Sequence, residues 1–235
     1  MEIVGVGNTA EIISYGEEKV CKLFYKGYSE SAIIREYTNA QLMNKMRIPV
    51  PEVYDIIHVE NRTGIVYGRL YGETVLEKIL RNENVEVLIK IVADAHKNIL
   101  KYHTMEGISY KKFLKQLIGE KTDNSIKLHN SIDELTDGDY LCHGDFHPGN
   151  VWISLQGTVS IIDFMNICHG PWLYDVARTY FLISKGTLPN DIPNREEIQN
   201  AQKQLADLYL NYMNVNYNEI VMYITVIEDC RKYEQ

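Results

Sequence analysis

The sequence of 235 residues lacks several features that would place it in a specialised class of protein. No apolar run approaches the roughly 18 residues that a membrane span requires. Glu2 stands where a secretory signal would carry basic residues. Repeats and low-complexity tracts are also missing, so the organisation of the chain has to be inferred from apolar periodicity and turn residues. We therefore expect a cytoplasmic protein with no membrane partner.

Cysteine is scarce and scattered along the chain. The four cysteines are Cys21, Cys142, Cys168 and Cys230, and no two of them form a CxxC pair. This spacing favours neither a disulfide framework nor a ribbon-type zinc site. We expect four reduced thiols.

Basic residues are too few for a nucleic-acid-binding surface. The chain has 24 Lys and Arg against 32 Asp and Glu, a net charge of −8, whereas nucleic acids and anionic membranes require clustered positive charge. The charge is also uneven. Residues 1–130 hold 17 acids and 18 bases, and residues 131–235 hold 15 acids and six bases, a balance of −9. The second part of the chain is therefore strongly acidic.

What the sequence does contain is enough apolar residues, 45%, to bury a sizeable core. Before residue 72 the patterns predict β structure and one helix. Strands are predicted at 10–14, 19–25, 53–59 and 64–70, and a helix at 29–46. Residues 1–72 are therefore predicted to form a small antiparallel sheet accompanied by one helix.

From residue 85 onward helical spacing dominates, apart from a polar loop at 143–150 and a short strand pair at 151–155 and 159–162. Further helices are predicted at 172–184, 195–213 and 219–233. We predict an α+β fold with two lobes. Residues 1–72 form the N-terminal lobe, and residues 73–235 form a mostly helical C-terminal lobe with a short β hairpin after the loop.

The strongest motif is the loop HGDFHPGN, which runs from His143 to Asn150. Asp163 follows 13 residues after Asn150, at the end of an apolar strand. Asp145, Asn150 and Asp163 together supply a base and two hard oxygen ligands suited to Mg²⁺. Any one of them could simply cap a loop, but the ordered set indicates phosphoryl transfer.

With these motifs the chain resembles the aminoglycoside phosphotransferase and choline kinase superfamily, small-molecule kinases with a protein-kinase-like bilobal fold. The resemblance runs in order from Gly5 to about Tyr180. It implies that Asp145 is the catalytic residue, that Asn150 and Asp163 hold Mg²⁺, and that ATP is the phosphate donor.

The same resemblance assigns supporting roles. Asp175, in the stretch YDVAR, matches a residue that braces the backbone of the catalytic loop, and His143 opens that loop as a further structural residue. His147 stands where the family often has a histidine near the γ-phosphate, and we assign it no catalytic role.

Lys22 and Glu36 are candidates for the ion pair that holds the α and β phosphates of ATP. Lys22 alternates with Val20 and Phe24, which puts an ammonium group on an apolar strand face, where it needs an anion. Glu36 lies near the apolar stripe of the predicted helix. Glu30 is the rival partner, although it falls in the first helical turn. Both Lys22 and Glu36 could instead be surface residues.

Nucleotide contacts are also predicted at two backbone segments. Gly5, Gly7 and Asn8 lie in a glycine loop that is followed by a hairpin rather than a helix, which favours a phosphate-covering hairpin over a dinucleotide-binding loop. By position, Gly68 and Leu70 fall in the segment that links the lobes, where backbone groups would meet the adenine edge. An ordinary strand end is the alternative.

The predicted reaction moves the γ-phosphoryl group of ATP to a hydroxyl of a small molecule. The acidic second part of the chain favours a cationic acceptor, although acidic surfaces are also common for solubility alone. Candidate acids for the acceptor side are Asp191, Glu196, Glu197, Glu228 and Asp229.

The identity of the acceptor stays open among an aminoglycoside, choline, homoserine and a sugar. A protein substrate is disfavoured because Gly144 replaces the arginine of regulated protein kinases and no APE segment follows. A nucleotide-binding pseudokinase scaffold is disfavoured because the set of five polar residues is intact. Oligomeric state and the choice of ATP over GTP are left open.

Overall fold

The computed structural model describes residues 2–120, 122, 125–186 and 193–233, so Asp191 lies outside the described residues. The chain forms two compact units. The first comprises the residues up to Glu73 together with Trp152–Met165, and the second comprises Thr74–Val151 and the residues from Asn166 onward. The first stretch of the first unit ends at Glu73, one residue after the boundary that we predicted at residue 72. The segment Trp152–Met165, which we predicted in the C-terminal lobe, groups with the first unit.

The first unit is built on a five-stranded antiparallel sheet with the order β1-β2-β3-β5-β4. Its strands are β1 (Ile3–Val6), β2 (Ala10–Ser14), β3 (Lys19–Phe24), β4 (Val53–Val59) and β5 (Arg62–Gly68). The central strand β3 alternates its side chains, so Cys21 and Leu23 pack with Ile13 on one face. Lys22 consequently lies on the other face.

One helix, α1 (Glu30–Lys45), accompanies this sheet. Ser29 caps it by accepting a hydrogen bond from the backbone of Ala32. The residues that α1 buries include Ile33, Glu36 and Asn39, so two polar side chains share its inner face. The helix begins one residue later and ends one residue earlier than the predicted range.

A second, three-stranded sheet explains why Trp152–Met165 groups with the first unit. It has the order β6-β8-β9, with β6 (Gly72–Thr74), β8 (Val151–Ser154) and β9 (Val159–Ile161). Gly72 has a φ of 143°, and a Cβ there would stand 2.1 Å from the carbonyl oxygen of Ile153. Only glycine permits this approach of the two strands. The hairpin after the loop is thereby paired to β6.

The second unit is mainly helical. Its helices are α2 (Val75–Leu80), α3 (Val85–Ile99), α4 (Tyr110–Ile118), α5 (Ile126–Glu134), α6 (Trp172–Ser184), α7 (Arg195–Met213) and α8 (Tyr217–Arg231). A two-stranded sheet, β7 (Tyr140–Cys142) and β10 (Cys168–Gly170), flanks the loop at residues 143–150. Helix α6 buries nine of its 13 residues and exposes none, because it packs against both α7 and α8. The unit is organised around this helix.

The α+β architecture that we predicted is confirmed, with an N-terminal antiparallel sheet, one helix and a largely helical remainder. All four cysteines are free thiols and buried. Within the described ranges, no helix has both the length and the apolar character needed to cross a membrane.

Candidate active site

Lys22 on β3 makes a direct ion pair with Glu36 on α1. Its Nζ donates hydrogen bonds to both carboxylate oxygens of Glu36, at 2.8 and 2.9 Å. Glu36 is only 1% exposed, and Tyr67 donates a further hydrogen bond to its Oε1 at 3.1 Å. Glu30, the rival partner, is exposed in the first turn of α1. The structure therefore brings together the two residues that the strand alternation and the helical stripe predicted as a pair.

Asp163 adds a second carboxylate to this cluster, with its Oδ1 3.2 Å from the Nζ of Lys22. Burial alone would lower the pKa of Lys22, but Asp163 and Glu36 outweigh it and raise that pKa, so the ammonium stays charged. Burial raises the pKa of Glu36, and Lys22 opposes the shift. The side chain of Asp163 is 39% exposed. The carboxylate of Glu36 is thus buried against Lys22, and the carboxylate of Asp163 is accessible to a further cation.

The backbone at Asp163 is held in an unusual conformation. Its φ is 68°, in the left-handed region that costs a non-glycine residue about 1–3 kcal/mol. Asn39 on α1 donates a buried hydrogen bond of 2.7 Å to the carbonyl of Phe164 and so fixes the adjoining peptide. Asn39 was not predicted from the sequence. The available signal was its position three residues after Glu36, on the same helix face.

The glycine loop lies between β1 and β2. Gly5 is within β1, and the turn that follows is closed by a hydrogen bond of 2.9 Å from the N–H of Gly7 to the carbonyl of Ala10. Asn8 lies in this turn. Neither Gly5 nor Gly7 has a positive φ, and a Cβ at either would meet only ordinary contacts at 3.5 Å. The local fold therefore does not by itself require glycine at these two positions.

The segment after β5 limits the predicted adenine contact. The N–H of Gly68 donates a 2.8 Å hydrogen bond to the carbonyl of Glu52. It is therefore already used within the first unit. The contact that we predicted for Gly68 and Leu70 stays a prediction, and it has to use backbone groups other than this N–H.

In the second unit, the loop from His143 to Asn150 presents Asp145. The side chain of Asp145 is 27% exposed, and its Oδ2 lies 4.0 Å from the Nε2 of His147. Asn150 donates from its amide nitrogen to the carbonyl of Asp145, at 2.8 Å. Because this bond occupies the nitrogen, the amide oxygen of Asn150 is the atom left to act as a ligand. His147 accepts a hydrogen bond from the N–H of Gly149, which gives it a role in the turn.

Asp175 holds the start of this loop from α6. Its carboxylate accepts hydrogen bonds from the backbone N–H groups of His143, at 2.7 Å, and Gly144, at 2.9 Å. Arg178, one turn later on α6, donates to the carbonyl of Gly144. Burial would raise the pKa of Asp175, but the hydrogen bond and charge of His96 outweigh it, with a smaller contribution from His143, so the pKa is lowered. Asp175 is thus an ionised brace for the loop backbone.

His96 on α3 completes this brace and was missed in the sequence. Its Nε2 lies 2.9 Å from the carboxylate of Asp175, which can only accept, so this nitrogen carries a proton. Its Nδ1 lies 2.6 Å from the hydroxyl of Tyr209, and its ring stacks on Phe146 with the centroids 4.2 Å apart. The residue is fully buried. His96 lies in the stretch after residue 85 where helical spacing was predicted, but nothing in that pattern indicated a partner 79 residues away.

The bend at Gly144 is also sterically determined. Its φ is 73°, and a Cβ there would stand 2.2 Å from the carbonyl oxygen of Asn166. The position therefore requires glycine for two separate reasons. From the sequence, Gly144 was used only to disfavour a protein substrate, and its steric role was not predicted.

Comparisons with known proteins identify the family of the chain and proteins of similar fold. The sequence model of the Phosphotransferase enzyme family matches residues 5–206. A search of curated proteins gives no match. Among solved structures, the chain is similar to an aminoglycoside-3'-phosphotransferase of type VIII, with a TM-score of 0.65, 16% identity and coverage of 97% of this chain and 91% of that chain.

Two further structures give the same result. The choline kinase LicA from Streptococcus pneumoniae has a TM-score of 0.63 and 17% identity, over 99% of this chain and 82% of that chain. An aminoglycoside phosphotransferase from Streptomyces rimosus, in complex with ADP and streptomycin, has a TM-score of 0.61 and 13% identity, over 92% and 89%. At these identities the likeness concerns the fold, while the family match spans most of the chain. The protein is a kinase that belongs to the Phosphotransferase enzyme family.

Proposed function

We propose that the protein transfers the γ-phosphoryl group of ATP to a hydroxyl of a small molecule. The observation that carries the proposal is the contact of Lys22 with two carboxylates, the buried one of Glu36 and the accessible one of Asp163. An ammonium fixed in this way can hold the α and β phosphates of a nucleotide. The similar structure in complex with ADP supports a nucleotide as ligand.

We propose that the residues of the second unit act in the same reaction. Asp145 accepts a hydrogen bond from the acceptor hydroxyl and aligns its oxygen with the γ-phosphorus. A new P–O bond forms as the bond from the γ-phosphorus to the β–γ bridging oxygen breaks. The hydroxyl proton passes late to Asp145, and ADP leaves. A single family match that includes Lys22, Asp145 and Asp163 supports their joint use.

Two oxygen donors are suited to Mg²⁺. The carboxylate of Asp163 and the amide oxygen of Asn150 are the hard ligands that this ion prefers, and the amide nitrogen of Asn150 is already bonded to Asp145. When bound, Mg²⁺ would neutralise charge on the β and γ phosphate oxygens. The residues of this chain hold and orient the substrates.

For the acceptor we propose a small molecule with a cationic group. The balance of −9 over residues 131–235 supports it. Similar structures include a choline kinase and a phosphotransferase bound to streptomycin. We further propose that the enzyme acts in the cytoplasm, where ATP is available and thiols such as its four free cysteines stay reduced.

The experiment that tests this function is transfer of ³²P from γ-labelled ATP in the presence of Mg²⁺. The acceptors are aminoglycosides, choline, homoserine and simple sugars, each compared with a reaction lacking acceptor. We expect labelled product with at least one acceptor and loss of that product when Lys22→Met replaces the wild type. Asp94→Asn, an exposed substitution on α3, serves as the control. Label found only in free phosphate, whichever acceptor is present, would contradict the proposal.

A further inference from the structure

The hydrogen-bonded network around His96 extends to Tyr209 on α7. Tyr209 is fully buried, and its hydroxyl lies 2.6 Å from Nδ1 of His96. Helix α7 packs against both α3 and α6, the helices that carry His96 and Asp175. Three helices that are distant in the sequence therefore meet in one chain of hydrogen bonds, which ends at the two backbone N–H groups bound by Asp175.

His96 supports the loop on both sides of Asp145. Before Asp145 it acts through Asp175, whose carboxylate accepts from the backbone N–H groups of the two preceding residues. After Asp145 it acts directly, because its ring stacks on Phe146 with the centroids 4.2 Å apart and the ring planes 17° apart. A change in the orientation of this one imidazole ring would therefore be transmitted to both chain neighbours of Asp145.

Two hydrogen bonds fix the orientation of the His96 ring. Nε2 is bonded to Asp175 and Nδ1 to Tyr209. Rotation of the ring by half a turn about χ2 would put carbon atoms at both contacts, so the two partners together select one orientation. Because Asp175 and Phe146 are the groups that His96 supports, the hydrogen bond that anchors the ring independently of the loop is the one with Tyr209.

The phenol group of Tyr209 suits this position chemically. Its hydroxyl can donate a hydrogen bond to Nδ1 of His96 or accept one from it, so the contact persists in either protonation state of the imidazole. Burial, together with the charge of Asp175, raises the pKa of Tyr209 well above its ordinary value, so the hydroxyl keeps its proton. A phenylalanine would fill the same space and leave Nδ1 without this hydrogen bond in a fully buried place.

We infer that Tyr209 is a positioning residue for phosphoryl transfer, which anchors His96 and thereby holds Asp145 in line for the acceptor hydroxyl. The inference rests on the proposed function, in which Asp145 receives that hydroxyl. Tyr209 is itself fully buried, so it acts through His96 and does not contact the substrates. A misplacement of about 1 Å at a reacting group can lower a rate about 100-fold, so a small relaxation of the loop is enough to be measured.

The kinetic test compares Tyr209→Phe with Tyr212→Phe, a control on the same helix whose hydroxyl bonds to the exposed Glu86. The parameters kcat and KM are measured by ADP release with Mg-ATP and the best acceptor. We expect Tyr209→Phe to lower kcat about tenfold and to leave both KM values within about twofold of wild type, because the residues that bind the substrates are unchanged. Tyr212→Phe should match the wild type.

A double-mutant cycle shows whether Tyr209 acts through His96. His96→Gln keeps an N–H group that can donate to Asp175 but has no atom in place of Nδ1. We expect His96→Gln to lower kcat at least as much as Tyr209→Phe, and Tyr209→Phe to have no further effect in the His96→Gln background. The same fall in kcat in both backgrounds would overturn the inference, as would a kcat of Tyr209→Phe within about twofold of wild type.

Nuclear magnetic resonance separates this inference from the proposed function, because it requires no turnover. In ¹H–¹⁵N spectra the backbone amides of His143 and Gly144 report on the bonds to Asp175, and the imidazole N–H of His96, assigned by its loss in His96→Gln, reports on the ring. All three resonances should shift in Tyr209→Phe and stay in place in Tyr212→Phe. Circular dichroism at the assay temperature checks that each variant is folded.

Unchanged amide resonances of His143 and Gly144 in Tyr209→Phe would overturn the inference even if turnover falls. Shifted resonances, with no acceptor phosphorylated by the wild type, would count against the phosphotransferase function and leave the support of the loop by Tyr209 standing. Turnover by the wild type that Tyr209→Phe leaves unchanged would do the reverse.

Discussion

Replacing Asp175 by asparagine should destabilise the second unit by a predictable amount. In the wild type, one carboxylate oxygen accepts from the N–H of His143 and from His96, and the other accepts from the N–H of Gly144. An asparagine has one acceptor oxygen, so its NH₂ group must face at least one of these donors. His96 can respond by shifting its proton to the other ring nitrogen, but a backbone N–H cannot.

The magnitude follows from these bonds. A buried N–H left without an acceptor costs about 1–3 kcal/mol. Loss of the negative charge weakens the remaining bonds by about 1 kcal/mol more. A total near 3 kcal/mol corresponds to a fall in Tm of about 6–12 °C for a chain of this size. Turnover should fall as well, because the loop that carries Asp145 loses its brace.

The assay is thermal denaturation of Asp175→Asn and wild type, with the exposed Asp139→Asn as control, repeated as the pH is lowered. The pKa of Asp175 is lowered in the folded protein, so its contribution to stability is present above its unfolded pKa of about 3.9 and lost as pH falls through the folded value. The gap in Tm should persist down to pH 5 and shrink below about pH 4. A variant within 2 °C of wild type at pH 7, against the 6–12 °C expected, would refute this account of the brace.

Three further predictions concern other contacts. Gly144→Ala should lower the Tm far more than Gly157→Ala, because both have a positive φ but only Gly144 has a backbone oxygen where the Cβ would stand; equal losses would refute the steric argument. Lys22→Met should cost about 3 kcal/mol by leaving Glu36 without its cation, and adding Glu36→Gln should recover stability in chemical denaturation; a double variant less stable than Lys22→Met would contradict the ion-pair account. Asn39→Ala should cost about 1–2 kcal/mol in the same assay through its buried hydrogen bond, and no measurable change would dismiss its role.

Local patterns predicted much of this fold. The ranges 53–59, 172–184 and 195–213 coincide with β4, α6 and α7, since each combines regular apolar spacing with clear ends. The last strand of the first sheet begins two residues earlier than predicted, at Arg62. Helices α4 and α5 were not delimited in the sequence. Both are only nine residues long, which leaves little room for a periodic signal.

The part of the candidate site that could be predicted is the part whose residues have a characteristic order and spacing in the sequence. The loop with Asp145 and Asn150, and the later Asp163, stand out because few structural roles need that order. The roles of His96 and Asn39 could not be predicted, because the function of a polar residue on an apolar helix face depends on a partner that is distant in the sequence.

The most direct test of the proposed mechanism is the turnover number of Asp145→Asn at saturating Mg-ATP and the best acceptor. The predicted result is a fall of about 10²–10⁴-fold with nearly unchanged affinity for ATP, because the nucleotide is assigned to Lys22, Glu36 and Asp163. A turnover number within a few-fold of wild type would contradict the assignment of Asp145 as the group that receives the acceptor hydroxyl.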